Sequence, residues 1–578
     1  MIRNVFPKAR VYRRHITARS FTISCQLQRL PALKGPHDQH LQPPSLRPTF
    51  QLLSQTAPYH DAAKVSRGFG PDTIYALSTA PGRAGIAIVR LSGPSCIEIY
   101  QAFCPSKPPP KPRYATLRTL YDPVVASNIL DSDALVLYFP APHTVTGEDV
   151  LELHVHGGPA TVKAVLAAIP RCTSRYPIRY AEPGEYTRRA FENNRLDLAQ
   201  VEALSDTLSA ETEQQRRAAV RGNSGNLGRT YETWRQQLLY ARGEMEALID
   251  FSEDQHFDES PAELLSNVTA QVKVMLDDIA SHEAASHRGE LLKRGIRISL
   301  LGPPNAGKSS LLNQVVGREA SIVSQEAGTT RDIVEVSLDI RGYLCTFADT
   351  AGLRTDSTTP SGRGKSSVIG AIEQEGIRRA KAKAGESDVI VALASVESSS
   401  SSPQGWQICF DAETFSLAAK AQQALIVVNK CDTVSKEDLV GIMFQLESAI
   451  LPRFLAGHEP VPVVSVSCRD AQTKNSGRDP GNISAFTDQL VETFKAMTGL
   501  PSDREDLLGV TERQRQLLSA CASHLHAFIS EASVSSDIEC DIVLAAEHLR
   551  SAADCLSRIT GRGSAGDVEE VLGVVFEK

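Results

Sequence analysis

Gly302-Pro-Pro-Asn-Ala-Gly307-Lys308-Ser309 follows the apolar run Ile296 to Leu301 and leads into Ser310-Leu-Leu-Asn. This reads as a strand, a glycine-rich turn and the start of a helix. In such a turn, backbone N–H groups wrap phosphates, the lysine bridges the β- and γ-phosphates, and the hydroxyl that follows ligates Mg²⁺. Glycine is needed where a Cβ would block the phosphate. Asn305, Ala306, Gly307, Lys308, Ser309 and Ser310 are therefore the expected phosphate-binding set. Lys308 is also a catalytic candidate, and Ser309 a Mg²⁺ ligand.

Three further motifs follow in order. Asp349-Thr-Ala-Gly352 ends the run Tyr343 to Ala348, putting a carboxylate near the metal shell and a glycine N–H where it can sense the γ-phosphate. Asn429-Lys430-Cys431-Asp432 closes Ala424 to Val428. A carboxylate there can accept two N–H bonds from the guanine edge, a pair that adenine lacks, so Asp432 should select GTP. Ser467-Cys468-Arg469, after Val461 to Val466, fits the weaker base-stabilising loop. Together they point to a nucleotide-hydrolysing, doubly wound α/β domain.

The chain has 578 residues, 42% hydrophobic and 22% charged, enough for several globular domains. It holds no apolar run of about 18 residues, so no membrane span is expected. Its eleven cysteines are scattered and never spaced C-x-x-C, which reads as reduced thiols rather than a zinc site or disulfide framework. Residues 1–36 carry eight basic side chains and no acidic one, a mitochondrial presequence signature, with a nucleic-acid-binding tail as the alternative. Removing those eight charges takes the formal net charge from −7 to −15, so RNA contact would need a local basic patch.

Residues 37–70, rich in Pro, Gln and His, read as a linker. Short β-rich runs at Ile74 to Ser78, Gly85 to Leu91, Ala134 to Phe139 and Val150 to His156, with a helical Thr161 to Ile169, predict an α+β domain over 71–195. Helical periodicity over 196–292, on positions such as Val201, Leu204, Leu208, Leu238, Ala241 and Met245, predicts a bundle. The GTPase domain is expected over 293–499. Helical period returns over 500–578, so the simplest architecture inserts the GTPase domain into a discontinuous helical domain. Thr355 to Ser367 and Ser398 to Ser402 read as low-complexity loops.

The chain resembles the MnmE (TrmE) family of tRNA-modification GTPases. The resemblance rests on GPPNAGKSSLLN, Glu326-Ala-Gly-Thr-Thr-Arg-Asp332, DTAGLR (Asp349 to Arg354) and Ile372-Glu373-Gln-Glu-Gly376-Ile377. It extends to APGRAGIAIVRLSG (Ala80 to Gly93), TGEDVLELHVHGG (Thr146 to Gly158) and PGEYTRRAFENNRLDLAQVEAL (Pro183 to Leu204). The resemblance implies a multidomain α/β and α protein: an α+β N-terminal folate-binding and dimerisation domain, a discontinuous helical bundle and an inserted Ras-like P-loop GTPase domain. It implies a homodimer that acts with an FAD-dependent MnmG-like partner and a tetrahydrofolate one-carbon donor (5-formyl or methylene type). The substrate implied is C5 of the wobble uridine (U34) of tRNA, in the mitochondrial matrix given the presequence.

Residue by residue, the resemblance implies K⁺ ligation by Asn305, Ser324, Glu326 and Thr329, which places a positive charge where an arginine finger otherwise stands. Thr329 and Thr330 join the nucleotide set with Thr330 as second Mg²⁺ ligand, as do Asp349, Gly352, Asn429, Lys430, Asp432, Ser467 and Cys468. Glu373 matches the water-orienting glutamate, with Glu375 as backup. Arg90, Glu152 and Arg195 stand at folate positions, the last where the family usually has lysine, a non-equivalent cation. His154 and His156 share a strand face and read as structural rather than metal ligands. The family's Cys-hydrophobic-Gly-Lys tail is expected about where this sequence stops, at Val575-Phe576-Glu577-Lys578, which bears on alkyl transfer rather than on GTP hydrolysis. A GTP-switched mitochondrial ribosome-assembly factor is the competing reading. A monomeric signalling switch is disfavoured because Leu353 stands where Ras-like switches carry glutamine.

Overall fold

The alternation of the first strands decides which sheet face is chemical. In the computed structural model, which describes residues 71–251, 261–324, 336–348, 384–399, 405–455, 460–472, 479, 481–533 and 541–561, β1 (Thr73–Leu77), β2 (Ile86–Ser92), β3 (Thr116–Tyr121), β4 (Ile129–Phe139), β5 (Val150–His156) and β6 (Ile178–Tyr180) form one sheet. Its order is β3-β4-β5-β2-β1-β6, antiparallel apart from β1 with β6. Ala87, Val89 and Leu91 of β2 and Leu151, Leu153 and Val155 of β5 are buried. They pack under α1 (Cys96–Phe103) and α2 (Pro159–Ala168), whose Tyr100, Phe103 and Val165 join the same core. Because successive side chains point to opposite faces, Arg90, Glu152 and His154 are left on the other side. The helix α1, the strands β3 and β6, and α3 (Glu185–Glu192) were not expected from the sequence. Segments of three to eight residues carry too little periodicity to register.

The helical stretch resolves into α4 (Leu198–Ser209), α5 (Glu213–Gly222), α6 (Asn226–Phe251) and α7 (Pro261–Arg294). α4 starts with a capping box between Asp197 and Gln200, and Pro261 opens α7, where a missing N–H is harmless. Leu238, Ala241 and Met245 are buried as expected, but Leu208 is 80% exposed, because α4 ends one residue later and its last turn projects beyond the core. With α12 (Glu512–Ala532) and α13 (Ile542–Thr560), α6 and α7 share one core built on Tyr231, Trp234, Leu518, Leu525, Phe528 and Leu556. Helices from both sides of the P-loop segment thus bury one another's apolar faces. Backbones meet closely where Gly222 faces Gly509, and a Cβ on Gly509 would stand 2.8 Å from the Gly222 Cα. Among the described residues, no helix is long and apolar enough to cross a membrane.

His282 on α7 is buried in this core with its Nδ1 3.1 Å from the Tyr231 hydroxyl. Burial, aided by Arg504, pushes its pKa down to about 4. The folded protein therefore holds it neutral while the unfolded chain takes up a proton as pH falls below about 6.5. Stability is intact above that pH and is lost between pH 6.5 and 4, by about 3 kcal/mol in all. Thermal midpoints at pH 7.5 and 5.0 should differ more in the wild type than in His282→Phe; equal pH slopes would refute this.

The second sheet runs β14 (Val463–Ser465), β13 (Ala424–Asn429), β11 (Val389–Ser398), β7 (Ile296–Leu301), β10 (Tyr343–Ala348), β9 (Val336–Ile340), β8 (Ala320–Ser324), with β12 (Trp406–Cys409) paired to β11. The five strands from β14 to β10 are parallel and nearly wholly apolar, as strands covered on both faces must be. α8 (Lys308–Arg318) and α11 (Ile483–Thr498) pack one face, while α9 (Ala412–Lys420) and α10 (Lys436–Gln445) pack the other. The β9–β10 turn is held by Arg341, which contacts Glu319, Asp488 and Ser484. The next carbonyl, Gly342 O, accepts the Gln214 N–H at 3.0 Å, filling one of the unpaired donors of the first turn of α5.

Candidate functional site

The parallel strands β7, β13 and β14 all end at one sheet edge, and each hands its chain to a loop carrying a predicted motif. After β7 the backbone enters conformations that need special residues: Gly302 at φ +154°, Asn305 at +60° and Gly307 at +97°. A Cβ on Gly302 would stand 2.6 Å from the Leu393 carbonyl, and one on Gly307 2.1 Å from Asn429 Nδ2. Both glycines are therefore fixed by close approach as well as by φ. Ala306 is fully buried and anchors the loop, while Asn305, Ser309 and Ser310 are exposed at the helix entrance. Lys308 Nζ donates to the carbonyls of Gly302 and Pro303 at 3.0 and 2.9 Å, folding its ammonium over the turn. α8 starts at Lys308, so its first N–H groups and its dipole face the loop.

Asn429 ties this loop to the other two. Its Nδ2 donates to Ala306 O at 2.8 Å and its Oδ1 accepts the Cys468 N–H at 3.4 Å. Lys430 adopts a left-handed backbone, φ +63°, and its ammonium pairs with Glu397 at 2.9 Å. The Asp432 Oδ1 accepts the Ser467 hydroxyl at 2.9 Å, and Ser467 Oγ in turn accepts the Asp470 N–H at 3.0 Å. Burial raises the Cys431 and Cys468 thiols to about 11, so both act as packing groups rather than nucleophiles. The structure thus brings together Asn305 through Ser310, Asn429, Lys430, Asp432, Ser467 and Cys468. Ser324 ends β8, paired with Ser337 across a bulge. Glu326, Thr329, Thr330, Asp349, Gly352, Glu373 and Glu375 lie outside the described residues, as do residues 1–70, the Thr355 to Ser367 insertion and the segment after Gly561.

On the polar face of the N-terminal sheet, Arg90 and Glu152 are register partners and form an ion pair at 2.9 Å, with Glu152 Oε2 3.2 Å from His154 Nε2. His156 Nδ1 lies 2.9 Å from Asp131, so neither histidine stands alone. The Tyr186 hydroxyl donates to Arg90 O at 2.6 Å. Arg195 stands apart from the pair: its Nε donates to Thr144 O at 2.9 Å, while Asn193 Nδ2 donates to Thr146 O at 2.8 Å. The two contacts lash the end of α3 to the 144–148 loop.

Sequence reading missed the charged cluster that joins α3, the start of β1 and the 144–148 loop. Buried Arg189 donates to Asp72 Oδ1 at 2.7 Å, Glu185 Oε1 at 2.9 Å and Glu148 at 3.1 Å. Arg179 joins Asp72 and Glu185 from β6. Burial works against the Glu185 carboxylate, but Arg179, the Glu182 N–H and Arg189 outweigh it and hold its pKa below the ordinary range. The i,i+4 pair Glu185/Arg189 was the only local signal; Asp72 and Glu148 come from more than 40 residues away, beyond any sequence period.

A glycine-rich loop at the carboxyl edge of a parallel sheet, braced to an Asn-Lys-x-Asp loop, defines a P-loop GTPase. Residues 73–195 match the family model described as the N-terminus of the GTP-binding protein TrmE, and residues 198–578 that of the MnmE helical domain. The tRNA modification GTPase MnmE of Parvibaculum lavamentivorans is 40% identical over 87% of this chain and 98% of its own. The mitochondrial tRNA modification GTPase mss1 of Schizosaccharomyces pombe is 38% identical over 88% and 94%. The mitochondrial 5-taurinomethyluridine-[tRNA] synthase subunit GTPB3 of Homo sapiens is 35% identical over 87% and 92%. This chain belongs to the MnmE/TrmE family of tRNA-modification GTPases.

Proposed function

We propose that the protein hydrolyses GTP in a K⁺-stimulated manner within a complex that modifies C5 of the wobble uridine of mitochondrial tRNAs. The observation that carries this is one chain joining a braced guanine-nucleotide site to a TrmE-type N-terminal domain with the Arg90–Glu152 pair on its open face. The relatives named as mitochondrial and the basic, acid-free residues 1–36 support action in the mitochondrial matrix. The core shared by α6, α7, α12 and α13 supports a helical domain interrupted by the GTPase domain at about 293–499. The working unit is a homodimer with an FAD-dependent MnmG-like partner.

In this reading the loop from Asn305 to Ser310 holds the phosphates, Lys308 leaves its two carbonyls for the β- and γ-oxygens, and the exposed Ser309 hydroxyl and Thr330 would be protein ligands of Mg²⁺. Asp432, oriented by Ser467, reads guanine. Asn305, on its left-handed turn, is exposed beside the phosphates and fits K⁺ ligation with Ser324, Glu326 and Thr329. K⁺ bound there supplies charge that offsets the negative charge developing on the bridging oxygen. Glu373 orients the attacking water. On the N-terminal sheet, a carboxylate flanked by guanidinium and imidazole suits a pterin, which offers donors and acceptors together, and Arg195 suits the carboxylate tail of tetrahydrofolate.

GTP turnover by the protein lacking residues 1–36 should be strongly faster in K⁺ than in Na⁺, and Asn305→Ala should lose about 10²-fold of the K⁺-supported rate. Equal rates in both salts would remove the cation claim and favour a GTP-switched ribosome-assembly factor.

A further inference from the structure

The segment that carries Arg195 is seated on the helical domain at both ends. On one side Gly561, the left-handed cap of α13 at φ +81°, lies under Phe191 and Leu198: a Cβ there would stand 2.7 Å from the Phe191 ring and 3.2 Å from Leu198 Cβ. On the other side Gly228 of α6 faces Asp197, where a Cβ would stand 2.1 Å from Oδ2. Within the segment, Arg195 N–H donates to Ala190 O at 2.7 Å, closing the turn that aims its side chain.

Beside that packing, one guanidinium ties the end of α13 to α4. Arg513, in the first turn of α12, donates through Nη1 to Arg558 O and through Nη2 to Ile559 O, both at 3.1 Å. These belong to the last turn of α13, where carbonyls have no helical partner. Its Nε is held at 2.5 Å by Glu202, whose other oxygen accepts from Thr511 Oγ1 at 3.0 Å and Gln514 Nε2 at 2.7 Å. Glu202 sits on α4 one turn beyond Leu198, so a closed ring forms: Leu198, Glu202, Arg513, the end of α13, Gly561 and back to Leu198. Glu202 is buried with both of its oxygens engaged, which links α4, α12 and the end of α13 through one carboxylate. Among the described residues the Arg195 Nη groups make no hydrogen bond, which leaves them to a ligand.

We propose that Arg513, acting through the end of α13 and Gly561, is a positioning residue that sets Arg195 for the carboxylate of a reduced folate. The inference rests on the reading of Arg195 as a folate ligand, and a double-mutant cycle separates the two. The probe is 5-formyltetrahydrofolate, titrated calorimetrically into the full chain. Arg195→Ala should weaken binding about 10- to 100-fold. Arg513→Ala should weaken it about 5-fold with the GTP hydrolysis rate unchanged, and the double variant should bind no more weakly than Arg195→Ala alone. Gly561→Ala should repeat the Arg513 result from the opposite side of the ring, and Glu202→Gln serves if either fails to fold. Wild-type affinity in Arg195→Ala would overturn the folate reading and the inference with it. A loss in Arg195→Ala with additive losses in the double variant, or with unchanged affinity in the ring variants, would overturn the inference alone.

Discussion

Asp432→Asn should weaken GTP binding by about 10²- to 10⁴-fold. The carboxylate stands at the mouth of the base loop with one oxygen held by Ser467, so its orientation is set before nucleotide arrives. Guanine presents two N–H donors to it, and a hydrogen bond to a charged group is worth about 1.5–3 kcal/mol; the variant loses one such bond, weakens the other to a neutral one and sets a donor against a donor, which together account for the range. Asparagine keeps one acceptor but turns an amide donor toward the second guanine N–H. Xanthine carries a carbonyl at that position, so the variant should prefer xanthosine triphosphate to GTP. Competition between the two nucleotides, read by calorimetry, decides it. GTP affinity within about threefold of wild type would show that Asp432 does not read the base.

Arg189→Met should destabilise the N-terminal domain by about 3–5 kcal/mol, because removing one partner leaves buried carboxylates uncompensated. Glu185 is 2% exposed and keeps Arg179 and the Glu182 N–H in the variant, while Asp72 and Glu148 each lose a donor. The cluster joins the first residue before β1, the start of α3 and the loop before β5, so all three should loosen together. Amide exchange at β1 and β2 in the full chain should speed up by about two to three orders of magnitude. Arg189→Lys should recover only part of this, since an ammonium cannot span three carboxylates as a planar fork does. Exchange confined to α3 would show that the cluster is local.

The GTPase domain was legible in the sequence because each motif sits where a nearly wholly apolar strand ends, and a parallel sheet sends all such ends to one edge. Gly307, Lys308 and Asp432 can be named from the sequence for that reason. What joins them cannot: Asn429 reads as a base-binding residue, yet its side chain spans 123 residues to Ala306, and no local pattern encodes that bridge. The N-terminal domain was half legible. The alternation of β2 and β5 put Arg90 and Glu152 on one face, whereas the three-residue β6 and the Arg189 cluster depend on pairings across more than a hundred residues. The helical bundle was legible in period but not in extent, as exposed Leu208 shows.

The amide of Asn429 occupies the space that any side chain at position 307 would need, and its two ends hold Ala306 and Cys468. Positions 307 and 429 are therefore a single unit of inheritance. A lineage that enlarges 307 must also displace the 429 side chain, and one that shortens 429 unties both loops at once. Substitution should leave this corner frozen while the strands around it drift among valine, isoleucine and leucine.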